Sequence, residues 1–302
     1  MEFPLSREVA GRFEYLVETG STNDVLVAHA TGADASGWPD LSVVVTDNQT
    51  RGRGRLGRTW LAPTGKSLAI SVLLRPRLPP TLIVPDETDR HAGPSRPELS
   101  VSAGEPLPMD QFGWFPLLAG AAMTLAVRDV VAESSAPAEP ADDEQPRHEV
   151  TLKWPNDVLI DGYKVSGILC ELLPGGGVVI GAGLNVSLDE HDLPTLTSTS
   201  LLLVTGTSPD PDAVLAGYLT RLRELYDRFV SAAGDPVASG LHDRVVALCG
   251  TLGAAVRVEL PGGTDLVGTA VRLDEDGRLV VRDQADNELL AVAAGDVTHL
   301  RY

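Results

Sequence analysis

The chain has few of the features that mark secreted or membrane proteins. Its 302 residues include only two cysteines, Cys170 and Cys249, without a CxxC motif or a disulfide framework, so both are expected to be small core residues. The longest apolar stretch, 115–127, is shorter than the about 18 residues that a membrane span needs, and the N-terminal region carries charges where a signal peptide would be apolar. These absences predict a cytoplasmic protein with no membrane segment.

Basic residues are also scarce. Lysine and arginine total 24 against 42 aspartate and glutamate residues, which gives a formal net charge of −18. Such a charge opposes binding to a polyanion, so DNA is not an expected partner. Hydrophobic residues make up 43% of the chain, which is enough for a folded core, and the length predicts a main domain plus a smaller one.

The first half of the chain is predicted to mix strands and helices. A strand over 13–18 leads into a helix that begins at the sequence GSTND, and the strands SVVVTDNQ and KSLAISVLLRP flank a glycine- and arginine-rich loop. A mostly apolar helix is predicted over 113–132. Two segments, about 79–108 and 133–148, are rich in proline or acidic residues and poor in aliphatic ones. We therefore interpret both segments as mobile insertions without a packed core element.

The second half reads first as sheet and then as a separate small β domain. Three strands are predicted, in VTLKWPNDVLI, KVSGILCELL and VVIGAGLNV, followed by a long amphipathic helix in PDAVLAGYLTRLRELYDRFV. After Cys249 and Gly250 the chain alternates between apolar and polar residues with regular turns, which predicts a small barrel of about five strands. The fold class is therefore α+β, with domains over 1–245 and 249–302.

A glycine- and arginine-rich loop is the most informative segment. Gly52 to Gly57 fits the pattern GxGxxG, but no helix start follows and positions 66–85 hold no acidic residue, which argues against a dinucleotide site. A P-loop is excluded because Trp60 stands where its first glycine would be. The loop instead carries four arginines between glycines: Arg51, Arg53, Arg55 and Arg58. Guanidinium groups suit carboxylate and phosphate, so the loop predicts an anion site, the alternative being a solvated basic turn.

Three other motifs carry polar groups that suit a ligand. Asp157, in KWPND, lies near Lys153 and Lys164 in the sequence and could ligate Mg²⁺ together with a nucleotide phosphate, although a plain turn is the alternative. The GSTND motif is either an ordinary helix cap or a cluster of donors and acceptors for a neutral polar group such as a ureido ring. Asn185, among apolar residues of a strand, needs a hydrogen-bond partner.

Taken in order, GSTND, NQTRGRGRLGRTW, KWPNDV, KVSGILCEL and GAGLNVS resemble the catalytic domain of biotin protein ligases, over roughly residues 10–230. The tail resembles the family's SH3-like C-terminal domain. The resemblance implies a class II synthetase-like fold, with a mixed sheet and flanking helices. It also implies an AMP-forming ligase that converts biotin and ATP to biotinyl-5′-AMP, releases pyrophosphate and biotinylates a lysine of a carboxyl carrier protein. Because GSTND begins at residue 20, we expect the monofunctional type without a DNA-binding domain, as a monomer or weak dimer.

The resemblance also implies site residues. Biotin contacts are expected from Ser21, Thr22, Asn23, Gln49, Arg53, Gly54, Arg55, Lys164, Gly167 and Leu169. Nucleotide contacts are expected from Arg55, Arg58, Trp60 and Asn185. Lys164, Arg53 and Arg58 are the expected catalytic residues, and Asp157 is the expected ligand of the Mg²⁺ that accompanies ATP.

Two other functions compete with this interpretation. A lipoate protein ligase shares the architecture and the adenylation step, but lipoate lacks the ureido group that the GSTND motif suits. A catalytically inactive protein that only sequesters biotin or another anion is the second alternative. The retained lysine, aspartate and arginine set argues against that loss of catalysis.

Overall fold

The structure is a computed structural model that describes residues 1–60, 62–79, 82–83, 100–101, 104–134, 148–260, 263–293 and 295–300. Most of the two expected insertions lies outside these residues, so their mobility stays a prediction. The first segment nevertheless contributes to the core at its C-terminal end. Leu107 is only 2% exposed, and its backbone N–H donates to Pro76 O at 3.1 Å. Leu107 is thus a single core residue near the end of 79–108, and the expectation that this segment holds no packed core element stays a prediction for the rest.

The described chain forms an α+β fold. The described helices are α1 (Pro4–Val9), α2 (Thr22–Thr31), α3 (Phe115–Ser134), α4 (Leu201–Thr205), α5 (Pro211–Ser231) and α6 (Leu241–Leu248). The described strands are β1 (Arg12–Tyr15), β2 (Ser42–Thr46), β3 (Gly52–Arg53), β4 (Thr59–Trp60), β5 (Ser67–Leu74), β6 (Leu82–Ile83), β7 (Ser100–Val101), β8 (Val150–Lys153), β9 (Asp157–Ile160), β10 (Tyr163–Leu173), β11 (Gly177–Asn185), β12 (Ala255–Glu259), β13 (Asp265–Leu273), β14 (Leu279–Asp283), β15 (Leu289–Val292) and β16 (Asp296–His299).

A seven-stranded mixed sheet forms the centre of the molecule, in the order β1-β2-β5-β11-β10-β9-β8. The β1–β2 pair is parallel and the other pairs are antiparallel. Alternate residues of β2 reach opposite faces, since Val43 and Val45 pack into the larger core and Val44 into the smaller one. The sheet is therefore covered on both faces, which explains why β2 and β5 are apolar without clear alternation.

Helix α2 covers one face of the sheet, and α3 packs on the other with α5 and α6. Among the described residues, one helical segment, Met109–Ser134, a 3-10 turn followed by α3, is long and apolar enough to cross a membrane by length and composition alone, a test that the buried core helix of a soluble protein also passes. Sixty-seven per cent of its most apolar window is buried. It is apolar nearly all round because it is the core helix of this fold.

The C-terminal part is a five-stranded antiparallel sheet in the order β15-β14-β13-β12-β16, as the alternation after Gly250 predicts. Two tryptophans attach it to the rest of the molecule. Trp154 Nε1 donates to Gly277 O at 2.9 Å, and Trp114 Nε1 donates to Glu275 O at 2.9 Å. Both tryptophans also belong to the larger hydrophobic core, which continues into residues of the five-stranded sheet.

The local differences from the sequence-based prediction have simple causes. The motif KWPND divides one expected strand into β8 and β9, because Trp154, Pro155 and Asn156 form the turn between them. The glycine and arginine loop is a short hairpin of β3 and β4 around a single 3-10 turn, Arg55–Gly57. The short helices α1, α4 and α6 were not predicted, since so few turns give little periodicity.

Candidate active site

A single cavity collects the predicted site residues. It has a volume of about 650 Å³ and lies between the sheet strands β9, β10 and β11, the hairpin β3–β4 and the C-terminal strand β16. Its lining includes Ser21, Thr22, Asn23, Gln49, Arg53, Gly54, Arg55, Arg58, Trp60, Asp157, Lys164, Gly167, Leu169 and Asn185. Every residue that the resemblance implies for the site lines this cavity, whereas Arg51, the fourth arginine of the expected anion site, does not; the individual roles stay predictions.

One end of the cavity is a buried polar network at the start of α2. Ser21 caps this helix, and its side chain accepts from Asp24 N at 3.4 Å. Gln49 Oε1 accepts from Thr22 N at 2.9 Å, which ties the segment after β2 to the helix N-terminus. Asn23 Oδ1 accepts from the Ser71 hydroxyl at 2.6 Å. The network thus fixes several neutral donors and acceptors in place, as binding of a neutral polar ring requires.

Two glycines of β11 make room for these side chains. A Cβ atom on Gly181 would lie 2.4 Å from Asn23 Oδ1, and one on Gly183 would lie 2.4 Å from the Trp60 ring. Both separations are too short for any other residue, so the strand backbone itself forms this wall of the cavity. The Trp60 Nε1 atom is buried and finds no hydrogen-bond partner within the described part of the chain. It is a donor available to a bound molecule.

The hairpin carries three arginines with different surroundings. The Arg53 guanidinium lies 2.5 Å from Asp24 Oδ1 and 3.0 Å from Glu171 Oε1. Arg58 forms a two-pronged ion pair with Asp296. Arg55 lies between them and donates to Asn156 Oδ1 at 3.0 Å. Protein carboxylates therefore already partly neutralise Arg53 and Arg58 before any phosphate binds.

Two of the chain's three lysines line the cavity. Lys164 Nζ lies 2.7 Å from Asp157 Oδ1 and 5.7 Å from the centre of the Trp60 ring. Lys153 has no ion-pair partner among the described residues, and burial lowers its pKa, an effect that Asp157 partly offsets. Burial likewise lowers the pKa of Arg55. A buried cation that lacks a carboxylate partner has lost hydration without compensation. Binding of an anion therefore stabilises it more than it stabilises a cation that is already paired.

The C-terminal sheet contributes a carboxylate to this group of cations. Burial by itself raises the pKa of Asp296, but the adjacent Arg58 and other cavity cations lower it below its usual value. Val297, Thr298 and His299 also line the cavity. The site therefore spans both parts of the molecule.

The remaining predicted residues shape the walls. Asn185 is buried, and its Nδ2 donates to Thr199 O at 2.9 Å, which supplies the partner that its position in an apolar strand requires. A Cβ atom on Gly167 would lie 2.9 Å from Lys164 Nζ, so glycine leaves space for that lysine. Gly54 and Leu169 contribute to the lining as well.

Sequence reasoning missed several residues of this site. Ser71 and Glu171 contact the predicted residues from inside strands, where the sequence offers no motif. Asn156 belongs to KWPND, and its Nδ2 donates to Ile168 O at 2.7 Å, so the motif itself was the available signal. The approach of Asp296 depends on tertiary docking and could not be predicted.

Comparison with known proteins finds sequence matches over both parts of the chain. Residues 19–88 and 112–186 match the Biotin/lipoate A/B protein ligase family, and residues 251–300 match the Biotin protein ligase C terminal domain. The chain is 36% identical over 293 residues to Biotin--[acetyl-CoA-carboxylase] ligase of Mycobacterium tuberculosis, covering 96% of this chain and 90% of that protein. It is 25% identical to the Bifunctional ligase/repressor BirA of Bacillus spizizenii, over 94% of this chain and 74% of that one.

Solved structures share the fold. The biotin protein ligase from Aquifex aeolicus in complex with biotin and ATP aligns with a TM-score of 0.66 at 24% identity, over 97% of this chain and 100% of that chain. The fold is thus that of a ligase catalytic domain joined to a ligase C-terminal domain. The chain belongs to the biotin/lipoate protein ligase family.

Proposed function

We propose that this protein is a biotin protein ligase of the AMP-forming type. It activates biotin with ATP to biotinyl-5′-AMP, with release of pyrophosphate, and transfers the biotinyl group to a lysine of a biotin carboxyl carrier protein. The observation that carries the proposal is the single cavity, where a neutral polar network at one end meets a group of desolvated cations at the other. Biotin has this same division, with a neutral ureido ring at one end and a carboxylate at the other.

The polar end suits the ureido ring better than the disulfide ring of lipoate. Thr22 and Asn23 line the cavity with hydroxyl and amide groups, which hydrogen bonds to Gln49 and Ser71 hold in place. The N–H and C=O groups of a ureido ring can hydrogen-bond with such groups, whereas an apolar dithiolane offers them no donor or acceptor comparable to these. Biotin is therefore the preferred substrate.

In the first step, a carboxylate oxygen of biotin attacks the α-phosphorus of ATP. The bond from that phosphorus to the bridging oxygen breaks, and pyrophosphate leaves. Carboxylate and triphosphate repel each other, so the cavity must supply positive charge that is already in position. Arg55 and Lys153 have no carboxylate partner in the described chain, and Lys164 reaches the same space beside Trp60. We assign these three cations to the reacting carboxylate and phosphate.

In the second step, the ε-amine of the carrier lysine attacks the carbonyl carbon of biotinyl-AMP. The carbon–oxygen bond to AMP breaks, and the amine loses one proton to solvent. Water would hydrolyse the same anhydride, so the site must stay covered between the two steps. The hairpin β3–β4 lies over the cavity and supplies that cover.

The residues present fit a magnesium ion that arrives with ATP. Mg²⁺ is usually held by one or two carboxylates plus substrate phosphates, and Asp157 is a cavity carboxylate of which Lys164 contacts only Oδ1. Among the described residues no group of three potential ligands could form a dedicated metal cage. Asp157 would hold the ion, which when bound would reduce the repulsion between the phosphates and the biotin carboxylate.

The proposal is tested with the purified chain, biotin, Mg-ATP and a carrier domain. We expect biotin-dependent release of pyrophosphate, and a mass increase of one biotinyl group on the carrier. A carrier whose acceptor lysine is replaced by arginine is the control and should gain no mass. Pyrophosphate release with lipoate alone would identify a lipoate ligase, and biotin binding without pyrophosphate release would identify a binding protein; either result overturns the proposal.

A further inference from the structure

The hairpin β3–β4 is attached to the rest of the molecule by its arginine side chains. At one end, a single nitrogen of Arg53 contacts two carboxylates from different elements, Asp24 on α2 and Glu171 on β10. Within the hairpin, Gly54 N donates to Arg58 O at 2.6 Å, so its two strands move together. A contact that holds Arg53 therefore also restrains the backbone that carries Arg55.

Neither Asp24 nor Glu171 lines the cavity, so neither is placed to touch a substrate. Two carboxylates around one guanidinium are unfavourable to each other unless the cation stays between them. The arrangement is also tied to the polar end of the cavity, because Asn23 Nδ2 donates to Glu171 Oε1 at 2.8 Å. The Glu171 carboxylate thus contacts both Asn23, at the polar end of the cavity, and Arg53, on the hairpin.

We propose that Asp24 and Glu171 are positioning residues that act through Arg53 and hold the hairpin closed over biotinyl-AMP. This inference rests on the proposed function and goes beyond it by naming what retains the intermediate. Asp24 supplies charge alone, whereas Glu171 also couples the closure to Asn23. Opening the hairpin separates Arg53 from both carboxylates and exposes the anhydride to water and to bystander amines.

The solvent exposure of the Arg53 ion pairs sets how strongly they hold the hairpin closed. The side chains of Arg53 and Asp24 are about half exposed, and pairs of this kind contribute about 0.2–1 kcal/mol. Loss of either carboxylate should therefore raise the opening rate by up to about fivefold. Because exposed charge pairs are screened by salt, escape of the intermediate from the parent protein should accelerate as salt is added.

The test compares Asp24→Asn and Glu171→Gln with the parent and with Asp129→Asn. The last variant removes an equally exposed pair, Arg221 with Asp129 at 3.2 Å, on α3 and α5. Glutamine at 171 keeps an oxygen that can accept from Asn23, so the substitution removes charge rather than the hydrogen bond. Each protein is loaded with biotinyl-AMP, and release is followed by gel filtration at low and high salt. Hydrogen exchange of the Gly52–Trp60 amides is measured on the unloaded proteins.

We expect faster release and faster amide exchange in Asp24→Asn and Glu171→Gln, unchanged values in Asp129→Asn, and a weaker salt dependence of release when both Asp24 and Glu171 are replaced, since among the described residues only the Arg58–Asp296 pair then remains on the hairpin. A role limited to general stability would leave that salt dependence unchanged. If Asp24→Asn matches the parent in amide exchange, the inference is wrong. If the parent makes no biotinyl-AMP, the proposed function fails, and the exchange measurement alone still decides whether the carboxylates hold the hairpin.

Discussion

At the scale of single residues, ion pairing with protein carboxylates decides which cations are available to bind the carboxylate and phosphates of the substrates. Arg53 and Arg58 each contact carboxylates, whereas Arg55 and Lys153 have no ion-pair partner among the described residues. Lys164 is intermediate: it has an ion-pair partner, but that partner, Asp157, also lines the cavity. The sequence predicts that Arg53 and Arg58 are catalytic, and their role stays a prediction. The contacts favour Lys153, which was not among the expected catalytic residues.

Lys164→Ala should slow the formation of biotinyl-AMP by about 10²–10³-fold, because one preorganised charge at the reacting phosphate is worth on the order of 3–4 kcal/mol. The variant also leaves Asp157 without its cation, which adds repulsion toward ATP. Single-turnover kinetics with labelled ATP measure the effect, while thermal unfolding monitors the fold. A rate within about threefold of the parent would remove Lys164 from the catalytic residues.

Lys153→Gln should weaken ATP binding and slow adenylation by about tenfold or more, because it removes a desolvated cation that has no other partner in the described chain. Lys66→Gln is the matched control, since Lys66 pairs with Asp189 and Asp192 and does not line the cavity. Binding titrations with ATP and pyrophosphate release measure both variants. Equal behaviour of the two would mean that Lys153 is only a structural lysine.

At the scale of elements, strand β11 illustrates how the backbone shapes the site. Its pairing with β5 and β10 places Gly181 and Gly183 opposite Ser71 and Ala69, on the central strands of the sheet. Glycine in a strand normally weakens it, yet here the missing side chains admit Asn23 and Trp60. The strand gives up some stability so that the hairpin and α2 can approach it closely.

Gly183→Ala should therefore displace Trp60 and lower adenylation, because the added Cβ would meet the indole ring at 2.4 Å. The matched control is Gly217→Ala on α5, where the nearest atom lies 4.0 Å away. That control should retain activity and gain about 0.5–1 kcal/mol of stability, since alanine favours the helix. Tryptophan fluorescence and pyrophosphate release follow the two variants. Normal activity in Gly183→Ala would contradict the packing of Trp60 against β11.

At the scale of the whole molecule, the site depends on contact between two sheets. Strand β16 belongs to the five-stranded sheet, yet Asp296 pairs with Arg58 of the hairpin that covers the large sheet. The division into domains at 1–245 and 249–302 stays a prediction, but the cavity includes residues from both ranges. The expected state of a monomer or weak dimer stays a prediction.

Replacement of residues 135–147 by a glycine- and serine-rich segment of equal length should leave adenylation nearly unchanged. The native segment is acidic and proline-rich, a composition that buries little apolar area. Circular dichroism and biotin-dependent pyrophosphate release provide the comparison with the parent. A loss of release in a folded variant would reveal that the segment shapes the site.

We also expect no specific binding to promoter DNA. A net charge of −18 provides no broad basic surface to offset repulsion by phosphates. Electrophoretic mobility shift measurements at several salt concentrations check this expectation. Sequence-specific retardation at sub-micromolar protein would contradict it.

The sequence by itself determined the composition of the site and much of the fold. GSTND predicted the helix cap at Ser21, the apolar runs predicted β2 and β5, and the glycine- and arginine-rich loop predicted an anion site. These features depend on neighbours in the chain, where capping, alternation and charge density act over a few residues. Local chemistry was therefore enough to indicate these motifs, whereas the individual site residues came from the resemblance to the ligase family and stay predictions.

Only the tertiary structure decided which charges meet. Asp24, Glu171 and Asp296 lie far apart in the sequence, yet they form ion pairs with two arginines of one hairpin. Arg55 and Lys153 are left without an ion-pair partner within the described chain. Ion pairing falls off within a few ångströms, so it depends on strand register and on the docking of β16. A sequence pattern specifies neither the strand register nor the docking of β16. For that reason, it could not be predicted which cations pair with protein carboxylates and which do not.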